Sequence, residues 1–294
     1  MGFFDKFFAG YNSEDTAVTP FVQPSTRPEL FRLAFKENFW RLVPLNLLYL
    51  AFCIPLIAWC ILNIMQLQVI FSGDAESLRQ SLLGMLYVIA LGLIPCILVT
   101  GPASAGIAYV TRNIARDQPS MIWQDFLHGL KNNWKQALLP SGITSTIPLV
   151  AYCYIAFLST NPDQKSVSVL PAVICMIAIV LWVIAAPTIY MMMVTYHLKF
   201  KALVKNALIM TITHLPTAIG IGLLRLIPAM VIAIMVLFFS APLGFVLLVV
   251  YGVLWGVSLD WLLCSSFANY LCEHYINPQI GEPTRIGLRN SKAD

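Results

Sequence analysis

Charge is what this sequence has least of. Only 11% of its 294 residues are Asp, Glu, Lys or Arg, against about 25% in an average soluble domain. The few charges cluster, and the apolar runs between them exceed the ~18 residues that mark a membrane-spanning helix. That excludes an ordinary soluble globular domain. The net charge of +4 does not point to nucleic acid, because nearly all basic residues flank the apolar runs, where membrane orientation accounts for them.

The signatures of chemistry are also missing. There is no HExxH, no GxSxG and no GxxxxGK[ST] phosphate loop. His128, His197, His214 and His274 are dispersed near span ends without paired-ligand spacing, so no metal site is expected. Cys53, Cys60, Cys96, Cys153, Cys175, Cys264 and Cys272 form no CxxC pair and read as small buried hydrophobes. Asp260 is the one carboxylate deep in an apolar run, too little for acid–base catalysis. Neither an enzyme nor a cofactor is expected. The opening MGFFDKFF lacks a long apolar stretch and a cleavage site, and Gly2 lacks the downstream Ser/Thr of a myristoylation signal, so neither leader nor lipid anchor is expected.

What is present is apolar: 59% of the chain. The expected fold is all-α and polytopic, with six transmembrane helices at about 43–66, 81–110, 137–158, 168–195, 217–239 and 243–271. Residues 1–42 form an N-terminal segment and 272–294 a tail. Phe3, Phe4, Phe7 and Phe8 would share one face of a short interfacial helix. Residues 9–25 read as a linker, and Thr26-Arg27-Pro28-Glu29 has capping-box spacing, so a helix starts there, presenting Phe31, Phe35 and Phe39. Pro95, Pro102 and Pro187 are expected kink sites.

Of the eighteen Lys and Arg, all but Arg79, Lys165 and Arg225 fall on one side if the N-terminus, the 111–136 and 196–216 connections and the tail share it. Positive residues stay cytoplasmic, which predicts both termini inside. A repeat follows from the same map. Lys36 to Arg41 then Pro44, Lys131 to Lys135 then Pro140, and more loosely Lys205-Asn206 then Pro216 each open a pair of spans. That reads as three parallel copies of an amphipathic cytoplasmic helix plus a helical hairpin.

Three sets of residues stand out. Segment 121–138, with Ser120 as N-cap, aligns Ile122, Trp123, Phe126, Leu127, Leu130, Trp134 and Leu138 on one face. Asp125, Lys131, Asn133 and Lys135 are its polar members. It reads as a helix lying flat at the cytoplasmic surface, as plain anchor or docking surface. Arg225 and Asp260 lie within spans at depths differing by about 5 Å, counted from a hairpin apex near Ala241 at about 1.5 Å per residue. They are expected to pair, most simply as a self-neutralising structural pair. Gly101/Ala105, Ser104/Ala108 and Gly252/Gly256 have helix-packing spacing, and Pro102 and Gly106 lie in the same stretch.

The opening MGFFDKFF, the Trp40…Leu45-Asn46-Leu47-Leu48-Tyr49-Leu50 run with Pro55, the stretch from Gly101-Pro102-Ala103 through Gly106, Tyr109 and Arg112-Asn113, and the segment from Trp123 to Ala137 resemble the YesL-like family of bacterial membrane proteins, a domain of unknown function. The resemblance covers about residues 1–140. It implies a bacterial plasma membrane and a link to carbohydrate uptake, because family members tend to be encoded beside ATP-binding-cassette sugar importers and glycan-degrading enzymes. It brings no catalytic residues. Three functions stay open: an accessory subunit touching importer permeases, an independent small-solute transporter or channel, and a scaffold or regulator without substrate. A transporter would want polar residues around a shared mid-membrane cavity. Asn46, Asn63, Thr144, Ser145 and Thr146 are the sparse supply. The 112–136 loop does not match the Glu-Ala-Ala…Gly loop by which import permeases engage their ATPases.

Overall fold

The computed structural model describes residues 24–71, 75–161, 164–238 and 240–288. The Phe3–Phe8 segment and nearly all of the 9–25 linker lie outside them. Among the described residues there are helices and no strand. In order they are α1 (Arg27–Asn38), α2 (Leu42–Phe71), α3 (Ala75–Ala115), α4 (Ile122–Thr160), α5 (Lys165–Met193), α6 (Phe200–Thr213), α7 (Leu215–Phe238), α8 (Ala241–Tyr251), a π-helical turn (Gly252–Gly256), α9 (Val257–Tyr275) and α10 (Asn277–Ile280). Six segments are long and apolar enough to cross a membrane: Leu42–Leu67, Gln80–Ala115, Ile122–Thr160, Val169–Met193, Leu215–Phe238 and Ala241–Tyr275.

α1 begins as its sequence predicts. The Glu29 carboxylate accepts from the Ser25 hydroxyl at 2.9 Å and reaches back to the amides of Ser25 and Thr26 at 3.0 and 3.3 Å, and these bonds, the hydroxyl's first, hold it below the usual carboxylate range. Phe31 and Phe35 pack on the core, while Phe39 stacks on Trp255 with centroids 4.6 Å apart.

Segment 121–138 and the third span are not separate elements. α4 runs unbroken from Ile122 through Pro140 to Thr160, and it lies antiparallel to α3. Gly101 faces Ala137 and Ser141, Gly129 faces Ala105 and Tyr109, and the Tyr87 and Tyr152 rings are 5.3 Å apart. At about 1.5 Å per residue each helix is roughly 60 Å long, well beyond a ~30 Å hydrocarbon core. The flat-lying helix of the sequence reading is therefore the continuation of a span, held upright by α3. The turn between them is tight because Asp117 adopts φ 53°, the left-handed conformation Asp tolerates better than most residues. Burial raises the Asp117 carboxyl. Burial, then the charge of Asp117, raises that of Glu37.

Pro95 and Pro102 sit inside α3 and Pro187 inside α5, and each helix runs on through them. Neighbouring helices can re-satisfy a carbonyl freed by proline within a bundle. The departure from α geometry comes elsewhere, in the π-helical turn. Asn46 of α2, fully buried, fills it. Its amide nitrogen donates to the Gly252 and Val253 carbonyls at 2.8 and 2.7 Å. Its oxygen accepts from the Val257 and Ser258 amides at 2.9 and 3.0 Å. A π-turn leaves backbone groups off the i→i−4 ladder, and in an apolar setting each would be costly without a partner. One side chain supplies all four bonds.

The core gathers at the basic end of the bundle, from α1, the start of α2, the end of α3, the start of α4, and parts of α5, α6 and α9. α7 buries Ala218 and α8 buries Gly244, leaving that hairpin's flanks to the membrane.

Truncating the clamp tests its weight. Asn46→Ala strands at least two buried carbonyls, each worth about 1–3 kcal/mol. The variant is expected to unfold in detergent at a clearly lower temperature, with a stability loss of at least about 2 kcal/mol, read by thermal or denaturant unfolding.

Candidate functional site

α7 and α9 bring Arg225 and Asp260 together. Arg225 Nε donates to Asp260 Oδ1 at 2.6 Å and Nη2 to Oδ2 at 2.8 Å, a two-pronged geometry that suits guanidinium and carboxylate. Beside them lies a cavity of about 10 Å³ between α5, α7 and α9, lined by Thr188, Gly222, Arg225 and Cys264 among others. That is room for about one water, and no solute fits.

Several other polar residues of the spans bond within the protein, while the Ser266 hydroxyl and the Asn269 amide nitrogen are buried without a partner. Asn46 holds the π-turn. Asn63 Nδ2 donates to the Trp59 carbonyl at 2.7 Å. Thr144, Ser145 and Thr146 hydroxyls donate to the carbonyls of Pro140, Gly142 and Ile143 at 2.9, 2.7 and 2.8 Å. Thr144 also accepts from Trp182 Nε1 at 2.9 Å, tying α5 to α4. Among the described residues no three His, Cys, Asp or Glu cluster as metal ligands.

The start of α4 carries the residues expected of a surface helix, in a different arrangement. Phe126 is buried against α3, with Ile122, Leu127 and Leu130 partly so. Trp123 and Trp134 are 61% and 46% exposed, off the packed face they were expected to share. Lys131 and Lys135 are exposed, and Asn133 donates to the Gly129 carbonyl at 3.0 Å. Ser120 is not the N-cap: its carbonyl accepts from Arg41, and the Asp125 carboxylate takes the Met121 amide at 2.9 Å instead.

The small residues divide in two. A Cβ on Gly101 would come within 2.3 Å of Ser141 Oγ, and one on Gly106 within 2.8 Å of the Phe126 carbonyl. Ala105 is fully buried, and Pro102 sits between these contacts in α3. Gly129, missed in the sequence because nothing echoes its spacing, is equally tight: a Cβ would lie 2.7 Å from Tyr109 Cβ. Gly252 and Gly256 are not packing residues. A Cβ on Gly252 meets nothing within 4 Å, and one on Gly256 meets only Tyr251 of its own helix. They bound the π-turn.

At the basic end, residues 273–288 fold back onto the bundle. Arg27 pairs with the buried Glu273 and also donates to the Ile286 carbonyl at 3.3 Å. Arg116 Nε donates to Asn269 at 2.9 Å. Gly287, at φ 77°, lies so close that a Cβ would sit 3.0 Å from the Arg116 carbonyl.

Residues 42–155, which make up α2, α3 and most of α4, match a family described as a protein of unknown function, DUF624. That agrees with the resemblance to the YesL-like membrane proteins. No curated protein and no solved structure matches the chain.

Two mutational contrasts follow from these contacts. Gly129→Ala forces α3 and α4 apart and is expected to cost about 1–3 kcal/mol. Gly84→Ala, which meets open space, is expected to be neutral or to stabilise by up to about 1 kcal/mol through helix propensity; unfolding of the purified variants compares them. Arg225→Leu strands Asp260 and is expected to lose about 3–5 kcal/mol, most of it regained when Asp260→Leu is added. Accumulation and melting of the two variants read this out.

Proposed function

We propose that this chain is a membrane subunit that acts by docking to another membrane protein, and that it neither carries solute through its own interior nor catalyses a reaction. The observation that carries the reading is the tiny cavity beside Arg225, about 10 Å³, within spans where Asn46, Asn63, Thr144, Ser145 and Thr146 bond to backbone groups. A solute pathway needs polar groups facing a shared aqueous space. Docking needs a scaffold with free outer faces, and the closely packed α3–α4 pair together with the sparsely buried α7 and α8 fits that description.

The resemblance to YesL-like proteins supports a partner class: the permeases of an ATP-binding-cassette carbohydrate importer in a bacterial plasma membrane. The charge distribution supports placing the basic end, with α1, the start of α4 and α6, in the cytoplasm. Trp123, Trp134, Lys131 and Lys135 would then be presented at the inner membrane surface, where an importer's ATPase also sits. The intramembrane charge of Arg225 and Asp260 is what a second reading, a small-solute transporter, would draw on.

Affinity purification in mild detergent at native expression, with quantitative mass spectrometry, separates the two. Importer permeases or their ATPase are expected at near one-to-one ratio. Recovery without importer components, under conditions where known complexes survive, would overturn the docking reading. Sugar uptake by proteoliposomes holding this chain by itself would establish the transporter.

A further inference from the structure

Arg225 lies ten residues past Leu215 in α7. At about 1.5 Å per residue that is about 15 Å, half of a ~30 Å hydrocarbon core. Asp260 uses two of the five guanidinium N–H groups. Among the described residues no acceptor meets the other three. The Asp260 carboxylate likewise keeps lone pairs beyond the two that Arg225 occupies. The side chains remain 25% and 29% exposed, and the adjoining cavity is too small to make that exposure aqueous. Bidentate bonding holds the guanidinium at this depth, so it cannot extend to the interface. A half-satisfied ion pair at this depth is costly, and the single water the adjoining cavity admits leaves part of it open to a partner from another chain.

We propose that the complement is a second copy: two molecules meet at this face across a two-fold axis along the membrane normal, and each Arg225 also donates to Asp260 of the other copy. The symmetry accounts for the fit. Rotation about that axis keeps every residue at its depth and reverses the order of the two charges, so Arg225 lies over Asp260 and Asp260 over Arg225. An Arg–Asp pair is self-complementary in this way, and a lone charge would not be. The four groups form a neutral ring with more of their donors and lone pairs satisfied. Gly222, one turn before Arg225, leaves space there, because a Cβ on it would meet nothing within 4 Å, and small residues let membrane helices come together. This inference does not depend on the importer reading, since the dimer forms with or without another partner.

The test uses two differently tagged full-length chains expressed together. The copy carrying Arg225→Asp presents two carboxylates and the copy carrying Asp260→Arg two guanidinia, so each is expected to accumulate poorly when expressed singly. Together they restore both inter-copy pairs, and each is expected to retain the other and to accumulate at least threefold better. Mixing without rescue would mean the pair acts only within one chain, which overturns the proposal. The wild-type protein provides a check free of folding defects. Counting fluorophore bleaching steps in lipid at decreasing protein density is expected to give two copies per particle, falling to one at least tenfold sooner on dilution for Arg225→Leu with Asp260→Leu. Single wild-type copies at every density, or pairs unaffected by removing both charges, would overturn it. Single copies that nonetheless co-purify with importer permeases would overturn the dimer and leave the docking reading standing.

Discussion

Four hydrogen bonds from one side chain set the geometry of the last membrane crossing. Asn46 joins both ends of the π-turn to α2, and Trp255 within the turn donates to the Phe39 carbonyl at 3.1 Å. A π-turn inserts about one extra residue, and one residue in an α-helix is about 100° of rotation. Everything after Gly256 is turned relative to α8 by that amount, Asp260 included. The ion pair with Arg225 thus depends on a bulge four residues earlier and on an asparagine more than two hundred residues away in sequence. In an apolar surrounding the bulge has few other ways to satisfy its backbone, which makes the Asn46 contact a constraint on register.

The α3–α4 ladder is the second organising element. Lipid offers little hydrophobic reward for joining two apolar helices, so close packing has to hold them. Gly101, Gly106 and Gly129 allow that approach where a methyl group would collide with the facing helix. The consequence reaches past the hydrocarbon. Because the same packing continues beyond Ala137 to Ile122, the amphipathic stretch stands as a rigid extension of a span. Its exposed tryptophans and lysines are held on a helix of fixed direction, a different object from a peptide floating in the headgroups.

These two elements explain why the basic end is packed and the opposite end is open. Core residues come from eight helices, and at the first end α1, α6 and the fold-back after α9 close around Arg27, Glu273 and Arg116. Toward the other end the spans expose apolar side chains, as a protein with lipid for solvent should. Asn46, Asn63, Thr144, Ser145 and Thr146 bond to backbone groups, and Arg225 and Asp260 bond to each other. Such an interior suits a body that others bind better than one that solutes cross.

The sequence by itself determined the helical class, the six spans, the capping box of α1 and the depth match of Arg225 with Asp260. Each follows from hydropathy, spacing or counting along one helix, which are local quantities. The tertiary structure decided what depends on neighbours. Segment 121–138 has the pattern of a surface helix, yet α3 makes it part of a span, because Gly106 and Gly129 place two backbones in contact. Gly252 and Gly256 have packing spacing, yet they frame a bulge that only Asn46 stabilises. Ser120 has the chemistry of an N-cap, yet Arg41 takes its carbonyl and Asp125 takes the cap's role. In each case the sequence pattern is compatible with two outcomes of similar local energy, and a contact from a distant segment selects between them.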